Sequence, residues 1–117
     1  MDLELQGKQI KLIISDLNGF KTAEVISDEI LIPNIRKGTD LLVDIYYQGI
    51  DHIIINEKNI TPDFFNLKSG MAGEILQSIS NFRFKLSIKG DISKYDSKSL
   101  HSFIAESNDL GQISFIK

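Results

Sequence analysis

Alternation of hydrophobic and polar residues predicts β-strands in three stretches of the chain. The first two run from Gln9 to Ile14 and from Lys21 to Ile26, each with one apolar face. Asn18-Gly19 lies between them, and because this pair tolerates the positive φ angles of a tight turn, the two strands should form a hairpin. The third stretch, from Phe82 to Lys89, is apolar on one face and basic on the other.

Other patterns predict a buried strand and two helices. Asp51-His52-Ile53-Ile54-Ile55 has no polar face, as expected for a central strand of a parallel sheet. Apolar residues at helical spacing predict one helix capped by Thr39 and a last helix capped by Asp96. The segment from Ser27 to Gly38 is too apolar for a free linker, so we expect an ordered loop packed on the core.

The predicted order of elements is β-β-α-β-α-β-α-β, with a final strand from Gln112 to Ile116. Strand–helix–strand units of this length favour parallel pairing with right-handed crossovers. We therefore expect a single α/β domain over residues 1–117: a small mixed sheet with an N-terminal hairpin and helices mainly on one face. Arg83, Lys85 and Lys89 would lie on the less covered face, either solvated or in the interface of a homodimer.

Composition excludes several classes of protein. The 117 residues include no cysteine, which rules out disulfides and thiolate zinc sites and suits a reducing cytoplasm. The two histidines, His52 and His101, lie in different predicted elements, so we expect no metal site and no cofactor. A net charge of −3, the lack of a long apolar run and an acidic N-terminus argue against nucleic acid, a membrane span and a signal peptide. A cytoplasmic protein is the resulting expectation.

The candidate chemistry lies in the stretch from Thr61 to Leu76. Its opening Thr-Pro pair is typical of a helix start. A continuous helix would, however, contain both Gly70 and Gly73, each costing about 1 kcal/mol relative to alanine. We therefore expect a short turn up to Asn66 and a main helix that begins near Ser69, with this serine as its cap.

This helix start is the predicted binding site. The Ser69 hydroxyl, Lys68 and the free N–H groups at the positive end of the helix dipole can stabilise a phosphate or carboxylate, either bound or attached to the serine by phosphorylation. Gly70 and Gly73 would let a ligand or another segment approach closely. The alternative is an ordinary capping serine with two packing glycines.

Other polar residues should emerge at the same edge of the sheet, because ligands of parallel sheets sit beyond the carboxyl ends of the strands. Asn59 and Asp91 follow two of the predicted strands, so we assign them to the same anion or partner site. In an enzyme, Glu57 or Asp91 would transfer the proton while Ser69 held the anion.

Much of the chain resembles an uncharacterised bacterial family, the domain-of-unknown-function family numbered 4180. The matching motifs are Ile60–Phe65, Lys68–Gln77 and Leu86–Asp91, supported by Ala23–Ser27 and Phe103–Asn108. The family has no established activity, so the resemblance adds little about function.

The Ser69–Leu76 segment is also similar to the helix start of STAS domains, the fold of anti-sigma-factor antagonists, and the element order is similar too. In that family, a serine at the matching position is phosphorylated by a partner kinase. Ser69 and Gly70 are the residues of this chain that match the STAS motif. Leu67 and Lys68 stand where an antagonist has an aspartate and a serine, and Lys68 would favour a permanently bound anion.

The sequence leaves three hypotheses for the function. The first is a non-enzymatic binding or regulatory module that recognises a protein partner or small anion through the Ser69-Gly70 helix start. The second is a small enzyme acting on a carboxylate or phosphate substrate. The third is a structural homodimer.

Overall fold

The computed structural model describes residues 1–5, 7–17, 19–95, 97–110 and 112–116, and all structural statements concern these residues. They form six strands and three helices: β1 Asp2–Leu5, β2 Lys8–Leu17, β3 Phe20–Ile26, α1 Ile35–Tyr46, β4 His52–Asn56, α2 Met71–Ile79, β5 Lys85–Lys89, α3 Lys98–Leu110 and β6 Ile113–Ile116. Three short 3₁₀ turns connect β4 to α2: Glu57–Asn59, Pro62–Phe65 and Leu67–Ser69.

The strands form one six-stranded sheet in which spatial order follows chain order, from β1 to β6. The pairs β1–β2 and β2–β3 are antiparallel, whereas β3–β4, β4–β5 and β5–β6 are parallel. The predicted mixed sheet with an N-terminal hairpin is therefore confirmed, and so is the central parallel strand. Because strands are added in one direction, right-handed crossovers bring the helices to the same side.

The helices and the inner face of the sheet share one hydrophobic core. Alternate residues of the strands point into it, and each helix adds a buried stripe, including Leu42 of α1, Ile75 of α2 and Leu100 of α3. Burial of an aliphatic side chain of this size stabilises the fold by about 1.5–3 kcal/mol. The helices thus cover one face of the sheet, and the opposite face is left open.

Several predicted boundaries were wrong. Helix α1 begins at Ile35 and is capped by Asn34, whose Oδ1 accepts a hydrogen bond from the Lys37 N–H at 2.9 Å, so Thr39 lies inside the helix. Gly38, the last residue of the predicted loop, is instead buried inside α1 against Ile32. The loop before α1 is packed on the core as predicted, since Ile32 pairs with Ile60 in an isolated bridge.

Two further differences concern strands. The sequence prediction missed β1, which is only four residues long and pairs along β2. The strand predicted to start at Phe82 begins at Lys85, after Phe82 and Phe84 have packed in a cluster of rings with Tyr46. Asn18 of the predicted turn and Asp96, the predicted cap of α3, lie outside the described residues. No helix in the described ranges is both long and apolar enough to cross a membrane.

Candidate functional site

The predicted break in the Thr61–Leu76 stretch is confirmed. The chain makes one 3₁₀ turn at Pro62–Phe65, whose two phenylalanines are buried, and a second at Leu67–Ser69. Gly70 then adopts a left-handed conformation with φ of +74°, which an L side chain disfavours, and α2 begins at Met71. The glycine thus reverses the local backbone hand and separates the turn from the helix.

The Ser69 hydroxyl has two partners inside this turn. Its Oγ donates to the carbonyl oxygen of Asp63 at 2.7 Å and accepts from the N–H of Met71 at 3.2 Å. The N-cap of α2 is Gly70 and not Ser69 as predicted, because the glycine alone readily adopts the left-handed conformation there. Ser69, one residue earlier, still binds the first N–H of α2 and also joins the two 3₁₀ turns. Phosphorylation of Ser69 would remove the donor that the Asp63 carbonyl uses.

The surface around Ser69 is open. Lys68, Ser69, Gly70 and Gly73 are all exposed. A Cβ added at either glycine would have no atom within 4 Å, so neither glycine is required for close packing. Four of the six predicted site residues therefore lie close together on accessible surface, in the last 3₁₀ turn, at Gly70 and in the first turn of α2.

Asn59 was wrongly assigned to the binding surface. Its side chain is completely buried, and Nδ2 donates to the carbonyl oxygens of Ser27 and Glu29, both at 2.8 Å. Backbone bonds from Leu31 and Ile32 to the Asn59 carbonyl hold the same loop. Asn59 therefore fixes the connection between β3 and α1, and it has no surface to offer a ligand.

Asp91 lies in a separate cluster on the loop after β5. Its Oδ1 accepts from the Ser93 N–H at 3.0 Å, and it is exposed. Next to it, the carboxylate of Glu57 pairs with the Lys94 ammonium at 2.5 Å, and the hydrogen bond to Glu57 raises the pKa of Lys94. Burial, followed by the charge of Glu57, raises the pKa of Tyr95. Both carboxylates considered for proton transfer are thus already engaged by neighbouring groups.

The two clusters meet through the first 3₁₀ turn. Phe65 stacks on the Tyr95 ring with centroids 4.8 Å apart, while Asp63 in the same turn binds Ser69. A cleft of about 230 Å³ opens beyond Gly90, between the β5–α3 loop, α3 and β6. Its lining is mainly apolar, with His101 and Ser93 as polar members, and it does not include Asp91. At this edge of the sheet, the predicted site residues therefore do not line a common cavity.

The open face of the sheet carries polar groups that the sequence prediction did not bring together. His52 Nε2 hydrogen bonds to Ser87 Oγ at 2.7 Å, and Ser87 Oγ hydrogen bonds to Ser114 Oγ at 2.8 Å. Ser87 is only 3% exposed although it lies on the uncovered side. Alternation along β5 was enough to place Ser87 on this face. Its partners on β4 and β6 could be identified only from the register of the strands.

Apolar side chains surround this polar row. Four of the exposed large hydrophobic residues lie on the open-face positions of strands: Ile13 at 52%, Phe20 at 61%, Ile26 at 39% and Ile116 at 40% exposure. The predicted placement of basic residues on this face holds for Lys85 and Lys89, and Lys89 forms an ion pair with Glu24 at 3.6 Å. Burial, reinforced by the nearby charge of Lys85, lowers the pKa of His52.

Within the described ranges, no group of three or more histidine or acidic side chains could hold a metal ion. No curated protein and no solved structure matches the chain. The likeness to STAS domains therefore stays a prediction. One family does match, described as a domain of unknown function (DUF4180), and the match covers residues 17–117. This span includes β3 to β6 and all three helices, so the chain belongs to the DUF4180 family.

Proposed function

We propose that this protein is a non-enzymatic binding module whose working surface is the open face of the sheet, and that a second copy of the chain docks there. The observation that carries the proposal is the one-sided sheet, with its helices in a single core and its exposed isoleucines on the other side. This develops the homodimer hypothesis reached from the sequence.

The apolar content of the open face supports an interface. Ile13 and Ile54 lie in the same cross-strand row, separated only by Glu24 of β3. Ile26 and Ile116 lie one row further along, at the carboxyl ends of β3 and β6. Contiguous exposed apolar surface on a soluble protein commonly marks a contact site, whereas isolated exposed residues need no explanation. Here the apolar residues share one face of one sheet, with charged side chains such as Glu24 between them.

The size of the face is sufficient for a small dimer. Six strands about 4.8 Å apart, each about five or six residues long, give a footprint of about 500 Å². Two such faces bury about 1,000 Å², which is the lower bound for a specific interface. β2 is ten residues long and extends the face beyond this estimate at one end.

The distribution of charge favours a second copy as the occupant. In register, the strands place three acidic residues and three lysines on this face: Asp2, Glu4, Glu24, Lys11, Lys85 and Lys89. The face is therefore balanced although the whole chain carries −3. Acidic groups occupy β1 and lysines occupy β5, so a two-fold axis along the strands brings the acidic edge of one copy near the lysines of the other.

A matched pair of substitutions tests the proposal. Ile26 and Ile30 are 39% and 40% exposed, but Ile26 is on the open face and Ile30 is in the loop after β3. Light scattering after size exclusion should give a dimer for the wild type and for Ile30→Lys, and a monomer for Ile26→Lys. Ile13→Lys, on the same face of the neighbouring strand β2, should also give a monomer.

Circular dichroism checks that each variant is folded, as expected for substitutions at exposed positions. A wild-type protein that is monomeric at 100 µM overturns the proposal. Equal loss of the dimer in Ile26→Lys and Ile30→Lys would also contradict it, because the effect would then be independent of the face.

The Ser69 turn is a second candidate surface, for a small anion. It is favoured by the open space above Gly70 and Gly73, next to Lys68 and the N–H groups of the first turn of α2 that follow Met71. Titration of the ¹⁵N-labelled protein with inorganic phosphate should shift the Gly70 and Gly73 amide signals. The signal of Gly49, an exposed glycine with φ of +89°, should stay in place. Equal shifts at all three glycines would mean that the effect is non-specific.

A further inference from the structure

Resting on the proposed dimer, we infer that His52 makes the assembly sensitive to pH: protonation of this imidazole on the open face releases the second copy. His52 lies on β4, one of the two middle strands of the sheet. Its Nε2 belongs to the hydrogen-bonded row that continues through Ser87 to Ser114. A copy docked on this face would remove water from the imidazole.

The groups around His52 offer a positive charge little compensation. On β5, Lys85 is its partner in register and Ser87 is its hydrogen-bond partner. On β3, Thr22 is its partner in register, and Glu24 lies one row further along. The Glu24 carboxylate is paired with Lys89, which reduces its effect on His52. Lys85 is the charged group whose field acts on the imidazole, and its charge has the same sign as an imidazolium.

Docking should add to effects that already act in the single chain. Burial and Lys85 lower the pKa of His52 below its ordinary value of 6.5. A second copy increases the burial and so lowers the pKa further. Dimerisation then releases protons. The association constant is unchanged while His52 is neutral in the free chain, and it falls as the pH drops below the pKa in the free chain.

Each dimer buries two copies of His52, so the free energy by which protonation weakens association is doubled. Each pH unit between the pKa of the free chain and that of the dimer weakens association by up to about 100-fold. Between pH 7.5 and pH 5.5, we expect the dissociation constant of the wild type to rise by about tenfold or more. His52→Gln keeps a hydrogen-bonding side chain that cannot become charged, and its dissociation constant should change by less than about twofold.

The test is sedimentation equilibrium of the full chain at both pH values. His101→Gln provides the matched control, because His101 is an exposed histidine on α3 and should leave the pH response unchanged. NMR titration of the His52 ring in the wild type and in monomeric Ile13→Lys gives the two pKa values directly. The wild-type dimer should show the lower one.

The outcomes separate this inference from the proposed function. Absence of a dimer at pH 7.5 refutes the proposed function and removes the basis of the inference. A dimer whose dissociation constant is the same at both pH values, or whose pH response survives in His52→Gln, refutes the inference alone. A higher His52 pKa in the dimer would mean that an acidic group of the second copy faces the imidazole, and would also overturn it.

Discussion

Replacement of Asn59 by alanine should destabilise the fold strongly while leaving every exposed surface unchanged. The substitution removes two partly buried hydrogen bonds, from Nδ2 to the carbonyls of Ser27 and Glu29. Each bond contributes about 0.5–1.5 kcal/mol. Loss of the buried side chain also leaves a small cavity, but the two carbonyls belong to residues near the surface and can bind water. We expect a total loss of about 2–3 kcal/mol.

The free energy of unfolding can be measured by urea denaturation followed by circular dichroism. With a slope of about 1–3 kcal/mol per molar urea, a loss of about 2–3 kcal/mol lowers the midpoint by about 0.7–3 M. Lys58→Ala is the matched control, because Lys58 is the adjacent residue and tethers the same loop through Asp28, at 3.4 Å. This ion pair is exposed, so its loss should change the free energy by less than about 1 kcal/mol.

Equal midpoints for Asn59→Ala and the wild type would refute the structural role of Asn59. The residue would then be free for the surface role that the sequence suggested. A large effect of Lys58→Ala together with a small effect of Asn59→Ala would mean that the Lys58–Asp28 ion pair, and not Asn59, holds the loop after β3.

The remaining predictions can be checked in the same denaturation assay. Gly70→Ala should lower the free energy of unfolding by about 1–2 kcal/mol, because φ at this position is +74°. Gly73→Ala should raise it by up to about 1 kcal/mol, because Gly73 lies in α2 with free space around it. Equal effects of the two substitutions would contradict the break before α2. Gly38→Ala should lose about 1–2 kcal/mol, since its Cβ would lie 2.6 Å from Ile32 Cγ2, and a gain would mean that α1 packs more loosely. Because the pKa of His52 is lower in the folded chain than 6.5, stability should fall as the pH drops below about 6.5, and His52→Gln should lose this dependence; an unchanged pH profile would contradict the lowered pKa.

Strand and helix positions were largely predictable from periodicity, because burial on one side leaves a clear pattern. Ile53 and Ile55 are fully buried in a central parallel strand, as their uninterrupted apolar run predicted. The break before α2 was also predictable, since two glycines in one helix are unfavourable. β1 was not predictable, because four residues give too short a pattern and its pairing with β2 supplies the stability.

Contacts between distant side chains could not be predicted from local pattern. Asn59 follows a strand, which favoured the rim of the sheet, but its direction depends on the path of the loop after β3. Gly38 was assigned to the loop before α1, because its packing partner Ile32 lies outside the helix and left no local pattern. The row of His52, Ser87 and Ser114 joins three strands, and only their register brings the three side chains together.

An isotope-filtered NOE experiment on a mixture of labelled and unlabelled wild-type chains tests the central claim most directly, because it reports which side chains face the second copy without altering any of them. The dimer proposed here predicts intermolecular NOEs to the methyl groups of Ile13, Ile54 and Ile116. Intermolecular NOEs confined to residues away from the open face, such as Ile30 and Tyr47, or no intermolecular NOE at a millimolar concentration, would contradict it.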